Sequence, residues 1–371
     1  MAAGDGKSRF ARQQQTGAKG NMAPTYRVGL VGCGRMGTTI DDEVRDRPNA
    51  KLFLPYSHAA AVVACERTDL VAVSDPVADK AETARSRFGA QTAYEDPEEM
   101  IRQEGLDIVC IATRPSPHAP ITQFAAEHGV RGIYCEKPLC NSMAEADRMA
   151  AAIHKHGVKF NYGAQRRYVR MYRNLLDMIA AGQIGELQAV IAYCGASAAQ
   201  WGHTHAADML LMLAGDGPVD WVQGTARFEA ADWDGDRLTL DPPIETGTIR
   251  FANGVTGSLV PAGGYEFEAS GTQGKLRTLS NGSSYTWRRV GEHGDLEDAV
   301  GPNVPIESGT LRAMDDLVRA LDDDAPTQGG IEVACRSQEI ILGLVASHRA
   351  HGARVPMPLT DRALSIRPDN Y

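Results

Sequence analysis

The sequence predicts an α/β protein with a doubly wound parallel sheet in its N-terminal part and a second domain after it. Three observations point to this fold class. A glycine-rich turn follows an apolar run near the N-terminus, and further short apolar runs alternate with segments of helical periodicity. The chain also has 371 residues, more than one typical hydrophobic core accommodates.

The glycine-rich turn is the first of these elements. The apolar run Val28–Val31 leads directly into Gly32, Gly34 and Gly37, which have the G-x-G-x-x-G spacing of a dinucleotide-binding turn. The first glycine makes the tight turn, and the second lets the backbone approach a pyrophosphate. The third lets the next helix, expected over Thr38–Arg45, pack closely on the sheet and offer its N-terminus to the phosphates. The predicted cofactor contacts in this turn are Gly32, Gly34, Arg35 and Met36.

Three more apolar runs follow the first, each with a helical segment after it. Short runs that are apolar throughout are typical of strands buried on both faces, and crossover helices make such a sheet parallel. Ligands bind at the carboxyl ends of these strands, so the residues just after each run are candidates for function. The runs are Val28–Val31, Leu70–Val73, Ile108–Ala112 and Ile133–Cys135, and the expected helices are Val77–Phe88, Pro97–Gln103, Pro120–His128 and Ser142–His156.

Asp75 follows the second apolar run. A carboxylate there accepts hydrogen bonds from the adenosine ribose hydroxyls of NAD and repels the extra phosphate of NADP, so it predicts NAD as the cofactor. The alternative is that Asp75 caps the helix that follows Pro76. Asp75 lies further from the glycines than the usual ~20 residues, and an insertion over residues 47–63 accounts for the difference.

Composition and charge exclude several classes of partner. A net charge of −9 argues against nucleic acid and anionic membranes, and no apolar stretch has the length of a bilayer span. Seven cysteines without paired C-x-x-C spacing are typical of reduced thiols in the cytoplasm. Residues 1–24 lack an apolar core, which predicts a disordered tail rather than a signal peptide; an arm around a neighbouring subunit is the alternative.

The residues after the third and fourth runs carry a family resemblance. They are Thr113–His118 and Glu136-Lys137-Pro138. Together with later motifs they make the chain similar to the glucose–fructose oxidoreductase, inositol dehydrogenase and MocA family, from Tyr26 to about His348. The later motifs are Asn161–Tyr168, Ile179–Leu187, His205–Leu210 and Gly271–Leu276.

The resemblance implies a Rossmann domain, over residues 25–152, and an α/β domain, over residues 153–371, with a large, mostly antiparallel open sheet for substrate binding and oligomerisation. The strand candidates Thr246–Phe251 and Thr256–Val260 agree with this, because Asn253-Gly254 between them is a strong hairpin signal. The family resemblance further implies an NAD-dependent dehydrogenase that oxidises a secondary hydroxyl of a sugar, glycoside or cyclitol. We expect a cytoplasmic homo-oligomer with a small-molecule substrate and neither a nucleic-acid nor a membrane partner.

Lys137 and His205 are the predicted catalytic residues. A partly buried lysine beside the nicotinamide can bind a substrate hydroxyl, and burial would depress its pKa toward a useful range. Pro138 is a candidate for a cis peptide bond that fixes this turn. In the resembled family the histidine at the position of His205 faces the nicotinamide, and its pKa suits a base. Glu136 is expected either to orient the lysine or to bind backbone groups.

The expected substrate contacts are Gln165, Arg166, Trp201 and His205. Arg166 matches a family position that reaches substrate, and a guanidinium can bind hydroxyls or a carboxylate. Its neighbour Arg167 could bind the substrate instead. A surface salt bridge is expected for at least one of these two arginines. Trp201 stands where many family dehydrogenases have an aspartate, so stacking on a sugar ring would replace a carboxylate contact.

Two further groups of residues have alternative roles that the sequence leaves open. Thr113, Arg114 and His118 are expected to contact the cofactor, as are Glu136 and Lys137, although His118 could instead cap the helix that follows it. His203, His205 and Asp208 have the residue types of an open zinc or manganese site, but no further ligand spacing supports a metal, and none is expected.

The sequence therefore predicts a dehydrogenase in which His205 accepts the hydroxyl proton and Lys137 stabilises the developing alkoxide. Two other functions remain open. One is a glycosidase that uses NAD for transient oxidation and elimination. The other is a catalytically silent regulator that senses NAD and binds a protein.

Overall fold

The computed structural model describes residues 25–368. The predicted tail at residues 1–24 lies outside the described part of the chain. The N-terminal half contains, in chain order, β1 (Tyr26–Val31), α1 (Ile40–Val44), α2 (His58–Ala64), β2 (Thr68–Ser74), α3 (Ala78–Phe88), β3 (Thr92–Tyr94), α4 (Pro97–Glu104), β4 (Ile108–Ile111), α5 (His118–Glu127), β5 (Gly132–Cys135), α6 (Met143–His156) and β6 (Lys159–Tyr162).

These strands form one parallel sheet in the order β3-β2-β1-β4-β5-β6. The four predicted apolar runs are the strands β1, β2, β4 and β5, and their side chains are almost fully buried, as expected for strands covered on both faces. The doubly wound parallel sheet is therefore confirmed. Helix α6 begins after Ser142, whose side chain accepts a hydrogen bond from the Glu145 N–H.

The sheet continues beyond the expected domain boundary at residue 152. That position lies within α6, and β6 follows it and pairs with β5. If the domain boundary is placed where the strands of the parallel sheet end, it falls after Tyr162. The expected domain boundary at residue 152 stays a prediction, because it concerns which parts of the chain fold independently.

The insertion over residues 47–63 folds against the first helix of the sheet domain. The carboxylate of Asp41 accepts the backbone N–H groups of Tyr56 and Ser57, each at 2.9 Å. Ser57 then caps α2 by accepting the N–H of Ala60. These bonds hold the residues before α2 against α1, which follows the glycine turn. The insertion therefore lies next to the predicted dinucleotide site.

The C-terminal half contains α7 (Arg170–Ala180), β7 (Leu187–Tyr193), β8 (Ser197–Ala198), α8 (His203–Leu213), β9 (Val219–Ala226), β10 (Trp233–Asp234), β11 (Arg237–Leu238), β12 (Pro243–Phe251), β13 (Thr256–Val260), β14 (Glu266–Gly271), β15 (Gly274–Leu279), β16 (Ser284–Val290), β17 (Leu296–Ala299), α9 (Gly309–Asp322), α10 (Ile331–Arg349), β18 (Val355–Pro356) and β19 (Ser365–Ile366).

A large mixed sheet organises this half. Its strand order is β17-β16-β15-β14-β7-β13-β12-β9-β18, with β8 paired to β12, and only β7 and β13 pair in parallel. The predicted hairpin at Asn253-Gly254 joins β12 and β13. The expectation of a large, mostly antiparallel sheet is confirmed.

Helices connect the two halves. Helices α8 and α10 contact strands of the large sheet, while α9 returns to the N-terminal half and contacts α2, β5 and β6. At the end of α9 the carboxylate of Asp322 binds the Tyr26 hydroxyl and the Arg67 guanidinium. No helix within residues 25–368 combines the length and the apolar character that a bilayer crossing requires.

Candidate functional site

The glycine turn has the geometry that each of its glycines predicts. Gly32 has a φ of +94°, and a Cβ there would lie 2.8 Å from the backbone of Ala112. A Cβ on Gly37 would lie 1.9 Å from the carbonyl oxygen of Gly32, so only glycine allows this approach. A Cβ on Gly34 would meet nothing within 4 Å. Gly34 therefore faces open space that a diphosphate can occupy, and the turn fits a dinucleotide.

The helical segment after the turn differs from the expected Thr38–Arg45. A π-helical turn over Arg35–Thr39 leads into α1 at Ile40. The Thr38 hydroxyl closes this turn by donating to the carbonyl oxygen of Cys33 at 2.7 Å. The guanidinium of Arg35, at the start of this turn, donates two hydrogen bonds to the Glu43 carboxylate at 2.7 and 2.8 Å.

Asp75 is buried beside the glycine turn. Its Oδ2 accepts the backbone N–H of Cys33 at 2.9 Å, and its Oδ1 accepts the N–H of Val77 at 3.0 Å. The second bond is a local turn contact before α3: the N-cap residue of that helix is Val77 and has no side-chain cap, so the helix-capping role expected for Asp75 is not formed. The first ties the carboxylate to the turn, at the place where a ribose would lie beside a diphosphate bound by Gly34. The role in ribose binding stays a prediction.

A cleft of about 350 Å³ opens between the two halves next to the glycine turn. It combines residues from the turn, the insertion, the end of β5, the segment after β6 and the large sheet. Of the predicted site residues, the cleft brings together Arg35, Met36, Glu136, Lys137, Gln165, Arg166, Trp201 and His205. Its other lining residues are Tyr56, Gly163, Ser197, Gly202, Tyr265 and Thr310.

Lys137 is one of the residues that line this cleft. Its Nζ donates to the carbonyl oxygen of Trp201 at 2.9 Å and lies 4.2 Å from the centre of the Trp201 ring. Burial lowers the pKa of Lys137 from its usual 10.5 to about 8, with Arg166 and Arg35 also lowering it and nearby carboxylates opposing. The Lys137–Pro138 peptide bond is cis, as the turn predicts. Two donors of the ammonium remain for a ligand.

Glu136 binds the backbone of its own turn. Its Oε2 accepts the N–H of Lys137 at 3.1 Å, and its Oε1 lies 3.0 Å from Nε2 of the buried His58. Of the two expected roles, the contact with backbone is therefore present. His58 belongs to the insertion and packs against Tyr134, with the ring centres 4.3 Å apart and the rings tilted by 31°, so the insertion contacts the Glu136-Lys137 turn through Glu136.

His205 faces the same cleft from the first turn of α8. Burial lowers its pKa well below the usual 6.5, and the positive charges of Arg166 and Lys137 lower it further. The imidazole is therefore neutral at neutral pH. No described group bonds its buried Nδ1. A neutral imidazole has one ring nitrogen that accepts a hydrogen bond, so His205 can bind a hydroxyl group in the cleft.

Arg166 is fixed at the wall of the cleft. Its Nε and Nη2 donate to Oδ1 of Asn281 at 3.0 and 2.7 Å, and its guanidinium lies 4.6 Å from the centre of the Tyr265 ring. Gln165 is buried beside it, and both Gln165 and Tyr56 line the cleft. This arrangement presents a guanidinium and an amide to the space above Lys137.

Arg167 does not form the surface salt bridge that was expected for one member of the Arg166-Arg167 pair. It is fully buried and pairs with Asp208 at 2.8 Å and with Asp216 at 2.7 Å. The ion pair fixes the turn after β6 against α8, because both partners of Arg167 lie on or just after that helix.

The arrangement considered for a metal does not assemble. Asp208 is held by Arg167, and Nε2 of His203 lies 3.1 Å from the carbonyl oxygen of Ile244, while His205 faces the cleft. Within residues 25–368, no group of three His, Cys, Asp or Glu side chains has a metal-binding arrangement.

The loop after β4 lies beside the glycine turn but does not line the cleft. Thr113 places its backbone against Gly32, and Arg114 is exposed. His118 is fully buried and begins α5; its Nδ1 lies 3.0 Å from the carbonyl oxygen of Pro138, and its Nε2 lies 3.2 Å from that of Thr113. His118 thus ties this loop to the Glu-Lys-Pro turn, and a cofactor contact by these three residues stays a prediction.

Sequence reasoning missed three residues of the site. Tyr56 enters the cleft from the insertion, and Tyr265 enters it from the start of β14 with a φ of +52°, a strained conformation for tyrosine. Asp241 holds the Trp201 loop by accepting the N–H groups of Gln200 and Trp201 at 2.8 and 2.9 Å. None of them lies in a recognisable motif, so only the pairing of distant segments reveals them.

Comparison with known proteins agrees with this architecture. Residues 26–164 match an oxidoreductase family with an NAD-binding Rossmann fold, GFO_IDH_MocA. The chain is 28% identical over 160 residues to a myo-inositol 2-dehydrogenase of Thermotoga maritima, which covers 43% of this chain and 42% of that relative. It is 34% identical over 166 residues to scyllo-inositol 2-dehydrogenase (NAD(+)) of Bacillus subtilis, with coverages of 44% and 43%.

Among solved structures, a levoglucosan dehydrogenase in complex with NADH and levoglucosan has a TM-score of 0.70 to this chain at 19% identity. The alignment covers 90% of this chain and all of that one, so the fold is shared across both halves. The sequence matches to the two inositol dehydrogenases, in contrast, span less than half of their length.

Proposed function

We propose that this chain, whose residues 26–164 match the glucose–fructose oxidoreductase, inositol dehydrogenase and MocA family, is an NAD-dependent dehydrogenase of sugars, glycosides or cyclitols. The observation that carries the proposal is the shared cleft. Lys137 and His205 line the same space as Arg35 and Met36 of the glycine turn. A substrate hydroxyl in that cleft would therefore lie within reach of both an ammonium and a neutral imidazole.

The glycine turn supplies the cofactor site in this proposal. The open face of Gly34 and the N–H groups that follow it would hold the diphosphate, and Asp75 would accept the adenosine ribose hydroxyls. The bound nicotinamide supplies the hydride acceptor. We infer a preference for NAD over NADP, because the Asp75 carboxylate would repel an added phosphate.

His205 acts as the general base. Burial and two neighbouring cations disfavour its protonated form, so the imidazole is neutral before the reaction and one ring nitrogen is an acceptor for the substrate hydroxyl, whose proton it takes as the hydride leaves. Lys137 donates to the same substrate oxygen and stabilises the negative charge that develops there. Its contact with the Trp201 carbonyl oxygen fixes the direction of the remaining ammonium donors.

Trp201 provides a surface for the substrate ring. Its side chain is 51% exposed although it lies against Lys137, so one face is available for stacking on the C–H face of a sugar or cyclitol. Gln165 and Arg166 would bind the peripheral hydroxyls.

Two wider expectations remain part of this proposal. We infer a homo-oligomer built through the open face of the large sheet, which the described helices leave uncovered on one side. We also infer a cytoplasmic location, since all seven cysteines are free thiols.

A substrate screen tests the proposed function. The protein is incubated with sugars, glycosides and inositols and with NAD or NADP, and the reduced nicotinamide is followed by absorbance. The proposal expects accumulation of NADH with at least one polyol and little reduction of NADP. Product release without NADH accumulation would favour the NAD-using glycosidase, and dinucleotide binding without turnover of any compound would favour the silent regulator.

A further inference from the structure

The charges that line the cleft do not balance. Three of the lining side chains are cationic and one is anionic: Arg35, Lys137 and Arg166 against Glu136. The paired groups are Arg35, which binds the Glu43 carboxylate, and Glu136, which binds His58 and the Lys137 N–H.

Lys137 and Arg166 contact neutral acceptors instead. Lys137 donates to the carbonyl oxygen of Trp201, and Arg166 donates to the amide oxygen of Asn281. Within residues 25–368, no carboxylate forms an ion pair with Arg166. Asp241 lies near Lys137, but its two oxygens hold the backbone of the Trp201 loop, and it is not part of the cleft wall.

Two cations that face one small cleft repel each other, and a bound anion would relieve this repulsion. Lys137 is assigned to the reacting hydroxyl in the proposed function, which leaves Arg166 for a second substrate group. Arg166 is held by Asn281 and by the face of the Tyr265 ring, so its guanidinium plane is preorganised. A planar, fixed guanidinium matches the geometry of a carboxylate.

We propose that the substrate is an acidic sugar or cyclitol, of the uronate class, and that Arg166 binds its carboxylate while Lys137 and His205 act on a hydroxyl of the same ring. This inference rests on the proposed function and narrows it. Gln165 and the Tyr56 hydroxyl would supply hydrogen bonds beside the carboxylate, since both side chains line the cleft.

Matched pairs of acidic and neutral sugars test the inference. Turnover is measured with NAD for glucuronate against glucose and for galacturonate against galactose, with the corresponding sugar phosphates as a third arm. We expect kcat/KM for one acid to exceed that of its neutral partner by at least about tenfold. Higher ionic strength should raise KM for the acid more than for the neutral sugar.

Two variants change the charge at this position. Arg166→Gln removes the cation, and Gln165→Glu adds an isosteric anion beside it. Both should raise KM for the acid by roughly ten- to hundredfold and reduce its advantage over the neutral sugar. Arg170→Gln is the matched control, because this exposed arginine lies outside the cleft, and it should keep the advantage. Calorimetry with the acid and the NADH-loaded protein should show the same loss of binding without any turnover.

The outcomes separate this inference from the proposed function. Turnover of neutral sugars in preference to acids would overturn the acidic substrate and leave the dehydrogenase proposal intact. Preference for the sugar phosphates would also overturn it. Failure of every sugar to react, despite bound dinucleotide, would refute the proposed function and this inference with it. An unchanged preference in both folded cleft variants would remove Arg166 as the anion site.

Discussion

The ammonium group of Lys137 should set the alkaline limit of the dehydrogenase activity. In the proposed reaction Lys137 stabilises the developing alkoxide, so it must carry its proton. Burial lowers its pKa to about 8, and a lysine in solution would remain charged well above that pH. We therefore expect kcat/KM, which reports on the free enzyme, to fall as the pH rises through about 8.

The size of this effect follows from the shifted pKa. With a pKa of about 8, roughly nine tenths of Lys137 is charged at pH 7 and roughly one tenth at pH 9. The rate should thus fall by about tenfold for each further pH unit. Tyr56, Tyr265 and His205 of the cleft do not titrate in this range, because burial raises the pKa of the two tyrosines above the usual 10 and lowers that of the histidine below 6.5.

The assay is a pH profile of kcat/KM for the wild-type protein and two variants. Lys137→Arg keeps a positive charge at every pH in the series, so its profile should lack the fall near pH 8 even though its rate is lower. Lys137→Met should lose about 10²–10³-fold in rate across the series while dinucleotide binding survives. A wild-type rate that rises through pH 8 would refute this account, since it would make the neutral amine the base.

Three further predictions concern other side chains. His205→Gln should lower kcat by about 10²–10⁴-fold without changing NADH affinity. The rate of the wild-type protein should not fall as the pH decreases through 6.5, and stopped assays over that pH range measure the rates of both proteins. Arg167→Leu should lower the free energy of unfolding by about 3–5 kcal/mol, because it leaves Asp208 buried without its partner; urea denaturation measures this, and a loss below about 1 kcal/mol would contradict it. Asp75→Ser should raise the ratio of kcat/KM for NADP to that for NAD and weaken the turn at Cys33; an unchanged ratio would remove Asp75 from cofactor selection.

The N-terminal fold was predictable because its signals are local. Short apolar runs gave four of the six parallel strands, and the glycine spacing located the turn. The strands β3 (Thr92–Tyr94) and β6 (Lys159–Tyr162) were not predicted, since β3 has three partly exposed residues and β6 alternates polar Lys159 and Asn161 with aromatic residues, so neither forms a continuous apolar run. Their place in the sheet depends on pairing with a neighbour that is distant in sequence.

The candidate site was predictable only where a motif or a family resemblance marked it. Lys137 and His205 were found in this way, and the structure brings both into one cleft. Tyr56 could not be found, because the insertion that carries it has no motif and is positioned by Asp41. The buried ion pairs of Arg167 were not predicted either, because its acidic partners come from elsewhere in the chain and long-range ion pairs leave no local pattern.

The most direct test of the account is the binding of NADH to glycine variants, measured by calorimetry together with thermal unfolding. A Cβ on Gly34 would meet no protein atom within 4 Å, so Gly34→Ala should keep the wild-type Tm but lose at least about tenfold in NADH affinity. Gly217→Ala is the control, because its Cβ also meets nothing within 4 Å and it lies away from the turn; it should bind NADH as the wild type does. Absence of NADH binding by the wild-type protein, or equal affinity in Gly34→Ala, would contradict the proposal that this turn holds the dinucleotide.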